Sequence, residues 1–265
     1  MVKGLYTAFT GMVNEQKRLD VLSNNLANAD TNGYKKEGTT SQTFADELAI
    51  RIKDTSHYGI PKRLGTMSMG VHIGETYTDY SQGNYKITDN QTDFALDGNG
   101  FFAISYTDKA GNTSVKYTRD GAFIVNTQGY LVTKDGDYVL NRDGAMNTNP
   151  NAYIRHNPNL PFTVAEDGNI YQNEVLVGTI GVVDFADYNY IAKFGENLYD
   201  IVDGATIIES NAAVNQGYIE ASNVNVVSEM VNMITISRAY QAGQKVINAV
   251  DETLDKAVNQ VGRVN

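Results

Sequence analysis

Apolar residues recur at three- and four-residue spacing near both ends of the chain and at period two between them. The N-terminal stripe is Leu5, Ala8, Met12, Leu19, Leu22, Leu26 and Ala29, with Glu15 as its polar member. The C-terminal stripe is Met233, Ile236, Tyr240, Gly243, Ile247, Val250, Leu254, Ala257 and Val261, with one glycine interruption. Such spacing puts an apolar face on each of two helices, and each face needs a partner. The first helix is expected from about Lys3 to Asn28, where the run Asn28 to Gly33 supplies a left-handed stop. The second is expected from near Asn225, capped by Asn223 or Asn225 with Glu229 in its first turn, to about Gly262. At about 1.5 Å per residue it would be roughly 55 Å long. The N-terminal helix, shorter by about a third, would cover only part of that length, so other subunits are expected to bury the rest. The expected subunit-packing residues are Leu5, Met12, Leu19, Leu22, Leu26, Met230, Met233, Ile236, Tyr240, Ile247, Val250, Leu254 and Val261.

Between the helices the pattern changes twice. Residues 37–79 have mixed signals: Ile60-Pro61 breaks any helix, and Gly59, Gly65, Gly70 and Gly74 mark loops. They are expected to form an extended connecting arm, which also admits a short helix around Gln42 to Lys53. From Tyr80 to about Tyr199, β-branched and aromatic runs predict strands at Phe101–Tyr106, Gly121–Val125 and Val175–Val183. Asp-Gly pairs begin at Asp97, Asp120, Asp135, Asp143, Asp167 and Asp203, and this dipeptide is a strong hairpin signal because both residues tolerate positive φ. Short strands with no helix between them imply an antiparallel domain and exclude a doubly wound α/β fold. The expected fold class is therefore α+β, mainly β: a central antiparallel β domain, with long N- and C-terminal helices forming a coiled-coil-like terminal domain. The expected divisions are 1–36 (N-terminal helix), 37–79 (arm), 80–199 (β-rich outer domain), 200–223 (return connection) and 224–265 (C-terminal helix).

Charge narrows the partners. The net charge is −10, and residues 37–223 hold 12 basic against 24 acidic side chains. An acidic middle without a basic stripe argues against nucleic acid, whose phosphates need Lys and Arg. There is no cysteine, so neither a disulfide framework nor a thiol nucleophile is available. No signal peptide and no span of roughly 20 apolar residues is visible, so membrane insertion is not expected. His57, His72 and His156 are far apart and form no metal-binding pair. Asp97-Gly98-Asn99-Gly100 and Asp135-Gly136-Asp137 lack the further spacing of a calcium loop and fit hairpin turns. No strained nucleophile turn, no phosphate cradle and no selected pair of acids is present, so no enzyme and no cofactor is expected.

Specific blocks carry a resemblance. Ser23 to Lys35, including Asn24, Asn25, Ala27, Asn28, Thr31, Gly33 and Tyr34, resembles the N-terminal signature of the bacterial flagellar basal-body rod and hook proteins. Ala221 to Val226 (with Ser222, Asn223, Val224 and Asn225), then Glu229 to Ile234, then Arg238, Ala239 and Tyr240, resembles their C-terminal signature. Tyr80–Asn84, Asp97–Phe102 and Tyr117–Phe123 match mid-chain blocks in order. Within the family the chain looks most like the distal rod subgroup, with the proximal rod close behind. The resemblance implies a subunit of a hollow helical tube that transmits torque and conducts exported subunits, located in the basal body. The implied partners are the chain itself, other rod and hook proteins and the flagellar type III export apparatus, with ring or bushing proteins as further candidates. It also implies that a long arm at Thr39–Asp79 would lock subunits together. Two alternatives stay open: a hook subunit, and a secreted β-domain enzyme or carbohydrate-binding module on a helical stalk.

Overall fold

The computed structural model describes residues 2–45, 47–51, 62–158, 160–195 and 197–261. They contain three α-helices, α1 (Val2–Ala27), α2 (Arg142–Met146) and α3 (Val226–Lys256), and an α+β architecture that is mainly strand. The chain divides into two compact units, residues 1–27, 37–79 and 225–265 in one, and residues 28–36 and 80–224 in the other.

The helical unit follows from the terminal stripes. α1 ends at Ala27, and the chain turns through Gly33 at φ +66°, a left-handed conformation that a glycine adopts without Cβ strain. α3 begins after Asn225, whose side chain accepts a hydrogen bond from the Ser228 amide at 3.1 Å. Lys256 lies in its last α-helical turn, where a cation suits the negative end of the helix dipole, and a π-helical turn, Ala257–Val261, follows. The expected end at Gly262 lies outside the described residues. The two helices meet where Gly243 faces Met12: a Cβ at 243 would sit 2.6 Å from Met12 Cγ.

Among the described residues of 37–79 the backbone is extended, and the short helix that the sequence also admitted around Gln42 is absent. β1 (Glu37–Thr43) pairs antiparallel with β4 (Val71–Thr78), and β2 (Glu47–Arg51) with β3 (Lys62–Met67), two two-stranded sheets whose pairings nest along the chain. The run Thr39-Thr40-Ser41-Gln42-Thr43 explains the outcome, because β-branched and hydroxyl side chains are poor helix formers and suit an extended backbone. Lys53, the far end of that admitted helix, lies outside the described residues.

The β unit holds β5 (Tyr85–Ile87), β6 (Phe94–Asp97), β7 (Phe101–Thr107), β8 (Thr113–Thr118), β9 (Ile124–Val125), β10 (Leu131–Val132), β11 (Tyr138–Val139), β12 (Thr163–Val164), β13 (Asn169–Gln172), β14 (Val175–Thr179), β15 (Val182–Phe185), β16 (Ile191–Phe194), β17 (Leu198–Ile201), β18 (Ile207–Glu209), β19 (Ala213–Gln216) and β20 (Tyr218–Glu220). Its main sheet runs β16-β17-β8-β7-β11-β10-β9, with β15 joined to β7 and β18. β7 is the axis of the core. Phe102 and Ile104 pack in one cluster with Phe94, Leu96 and Phe123, while Phe101 and Ala103 pack in another with Tyr117, Phe185 and Tyr199. Burial on both faces is why this strand reads as a continuous apolar run instead of an alternating one.

Three local expectations are corrected. Val175–Val183 is two strands, β14 and β15, broken at Ile180-Gly181, where a side chain at Gly181 would strike the Asn141 and Leu140 carbonyls. Gly121–Val125 is strand only at Ile124–Val125. A helix does interrupt the strands: α2 starts at Asn141, whose side chain accepts from the Gly144 amide at 2.7 Å, so Asp143-Gly144 is a helical first turn and not a hairpin. Residues 200–223, expected as a return connection, carry β18, β19 and β20, and these pair with β15, β6 and β5.

Candidate assembly surface

In the helical unit, Leu5, Met12, Leu19, Leu22, Leu26, Met233, Ile247 and Val250 are half-buried, and Ile236 is buried. Met230, Tyr240 and Leu254 are exposed, and the side chain of Val261 lies outside the described residues. The expected stripe is thus mostly consumed within the chain. Met230 is joined in the outward apolar surface by residues outside the expected set: Tyr6, Phe9 and Val13 on α1, and Val227, Val231 and Ile234 on α3. Single-stripe reasoning passes over most of them, although the wide apolar face of α3 is an available signal. Near the middle of α1, Glu15 pairs with Arg18 at 3.1 Å. Arg238 and Ala239, from the C-terminal signature, are exposed on α3. Asn24 and Ala27 are also exposed, near the end of α1.

Asn25 has a defined task. Its amide nitrogen donates to the Glu37 carbonyl at 2.8 Å, and its oxygen accepts from the Glu37 amide at 2.9 Å. With both amide groups used and the side chain buried, Asn25 clips the start of β1 to the last turns of α1. Asn14, also buried, donates to Ser41 Oγ at 3.2 Å from the middle of the helix.

In the β unit the two signatures converge on Glu220. Lys35 Nζ donates to Glu220 Oε1 at 2.6 Å and to the Ser81 carbonyl at 2.8 Å, while Arg119 Nη1 donates to Glu220 Oε2 at 3.1 Å. The Gly83 amide also donates to Glu220 Oε1 at 2.8 Å, and the Gly33 amide donates to the Glu220 carbonyl at 2.8 Å. Lys35, Arg119 and Glu220 are each no more than 3% exposed. Around them, Asn223 accepts from the Lys36 amide at 2.8 Å and donates to Ser81, and Thr31 Oγ1 donates to Asn28 Oδ1 at 3.2 Å. Lys193 Nζ lies 4.1 Å from the centroid of the buried Tyr34 ring. Ser222 Oγ accepts from the Val224 amide at 3.3 Å; both residues are half-buried. A side chain at Gly83 would meet the Ala221 carbonyl oxygen at 2.0 Å, so that position needs glycine for close backbone approach.

This constellation is structural in character. One buried carboxylate accepts from two cations and an amide, a use of its charge that holds segments together. Nearby, Tyr85 donates to Asp97 at 3.2 Å, and partial burial together with that carboxylate pushes its phenol up to about 12. Burial and the Asp184 contact at 2.7 Å likewise raise Tyr188. Both phenols stay protonated and donate. The structure brings Gly33, Tyr34, Ser222 and Asn223 into one region, whereas Asn25 and Asn225 serve the helical unit. Glu220 is absent from the residues expected to matter, because an isolated glutamate gives no signal of its partners.

Three family descriptions match in chain order: "Flagella basal body rod protein" over residues 5–35, "Flagellar hook protein FlgE/F/G D1 domain" over 95–172, and "Flagellar basal body rod FlgEFG protein C-terminal" over 215–261. The chain is 32% identical over 268 residues to the flagellar basal-body rod protein FlgG of Buchnera aphidicola, covering 97% of this chain and 98% of that one. It is 33% identical over 267 residues to the flagellar basal-body rod protein FlgF of Caulobacter vibrioides, and 32% identical over 272 residues to the flagellar hook-basal body complex protein FlhO of Bacillus subtilis, covering all of both chains in each case. With likeness over its full length to such relatives, the chain belongs to the flagellar basal-body rod protein family.

Proposed function

We propose that this protein is a structural subunit of the bacterial flagellar basal-body rod. The observation that carries the proposal beyond family membership is the outward apolar surface of α1 and α3, which is left uncovered after the two helices have packed on each other. Covering large apolar side chains is worth roughly 1.5 to 3 kcal/mol each, so copies that cover one another's helices gain a strong drive to associate. Repeated head-to-tail contact of that kind builds an open helical array. In the rod such an array is a hollow tube that transmits torque and passes exported subunits. Its helical layer would pack in coiled-coil fashion, with other rod and hook proteins above and below. Delivery would run through the flagellar type III export apparatus. The ribbon of residues 37–79 would serve as an arm between neighbours, stiffening the tube.

Immunoelectron microscopy of purified basal bodies with attached hooks, using an antibody to residues 80–199, tests this. Label on the straight segment below the hook is expected, and its distance from the hook separates distal from proximal rod. Label along the curved segment would make the chain a hook subunit. Absence of label from intact assemblies would overturn the rod assignment.

A further inference from the structure

Between α1 and α3 of the helical unit lies a groove of about 540 Å³, lined by Gly4, Ala8, Gly11 and Glu15 on one helix and by Ala239 and Gly243 on the other. Gly243 has a reason within the chain, because Met12 occupies the space a side chain would need. Gly4 and Gly11 have none: a Cβ at either would meet nothing within 4 Å, and neither has a positive φ. Glycine weakens a helix relative to alanine, so these two positions keep the groove wide at a cost that the chain's own packing does not explain.

The same unit presents a matching ridge. Val227, Val231 and Ile234 on α3 are 72%, 57% and 54% exposed, and with Arg238 they follow steps of four, three and four residues along one helix face. Positions 4, 8, 11 and 15 of the groove follow the same steps. We infer that the groove receives the Val227–Val231–Ile234 ridge of a second copy of this chain, with Ile234 over Ala8 and Val231 over Gly11. In that register Val227, in the first turn of the copy's α3, lies over Glu15, whose carboxylate is held by Arg18 on the same helix. The contact joins two different surfaces, so it propagates from copy to copy instead of closing on itself. It rests on the subunit function proposed above and names the surfaces that meet.

The chain has no cysteine, so an engineered pair reports without background. Ile234 is nine residues along α3 from Gly243, which faces Ala8 and Met12. That separation is roughly 13 Å along the helix, beyond the Cα distance of about 7 Å that a disulfide tolerates, so a bond between Ala8→Cys and Ile234→Cys joins different chains. The pair is oxidised both in purified basal bodies and in concentrated purified protein. A ladder of multimers at least tenfold above either single-cysteine variant is expected. Gly11→Leu supplies a second readout: helical circular dichroism of the monomer is retained or raised, while incorporation into basal bodies falls at least tenfold. Basal bodies that carry the protein but give no ladder, together with normal incorporation of Gly11→Leu, would overturn the groove contact and leave the rod assignment standing. A ladder in purified protein with no label on the rod would do the reverse.

Discussion

The two units bury apolar surface in opposite ways. Of the buried hydrophobic side chains, 26 lie in the β unit and one, Ile236, in the helical unit, among the described residues. The helical unit instead leaves Tyr6, Phe9, Val227, Val231, Ile234 and Val258 at least half exposed. Charge divides the same way. The β unit carries 10 basic and 19 acidic side chains, a net of −9, and the helical unit 11 and 12, a net of −1. A closed core with an acidic skin offers little apolar surface to a neighbour and repels like-charged copies. A near-neutral pair of helices with open apolar faces meets little repulsion when copies approach. In the proposed rod subunit, this difference would separate a self-contained body from a surface that neighbouring copies cover.

The comparison breaks most severely at Glu220. Replacing it with Ala leaves Lys35 and Arg119 as buried cations without their carboxylate, and should destabilise the β unit by about 3–5 kcal/mol, read from urea unfolding of the full chain followed by near-ultraviolet circular dichroism. A shift below about 1 kcal/mol would mean that water reaches the cluster. Amide exchange of the dilute protein sharpens the contrast next. Amides of Phe102–Ile104 should exchange more than about 100-fold slower than those of Val246–Leu254, because the first lie in a strand covered on both faces and the second on a helix open to solvent. Equal protection would show that the helical unit is already complete in the monomer. Gly243→Val tests the internal seam of that unit. The new side chain meets Met12 and should cost about 1–3 kcal/mol of helix stability while the β unit's unfolding is unchanged. The smallest effect concerns His156, buried against Phe162, where burial lowers its pKa. With the folded value below the unfolded value of about 6.5, stability is full above that pH and is lost as pH falls through it toward the folded value. His156→Gln should flatten the dependence of the β unit's unfolding midpoint between about pH 6.5 and 5 and leave the helical unit unaffected.

Much of the fold is legible from spacing. The stripe beginning at Leu5 and the one ending near Leu254 specify α1 and α3, and the Asp-Gly turns at Asp135 and Asp167 sit between strand pairs β10–β11 and β12–β13 as expected. The misses have separate causes. At Asp143-Gly144 the dipeptide allows either a turn or a helix start, and the Asn141 cap chooses the helix. At Ile180-Gly181 an apolar run conceals a break, because period and composition do not show a neighbouring backbone pressing on a glycine. Around Gln42 the hydroxyl-rich run disfavours a helix, and pairing with a strand 30 residues away, at His72, completes the extended form.

From the sequence alone it follows that helices with apolar stripes flank an acidic β region along the chain, and the signature blocks point to the family, because periodicity and short motifs are local properties. Which helix faces are consumed by α1–α3 packing and which remain outward follows from the folded chain. It alone placed Glu220 between Lys35 and Arg119, residues separated from it by 185 and 101 positions. Those outcomes depend on which distant surfaces meet, and burial of a charge or exposure of a valine is a property of that meeting, not of the residue.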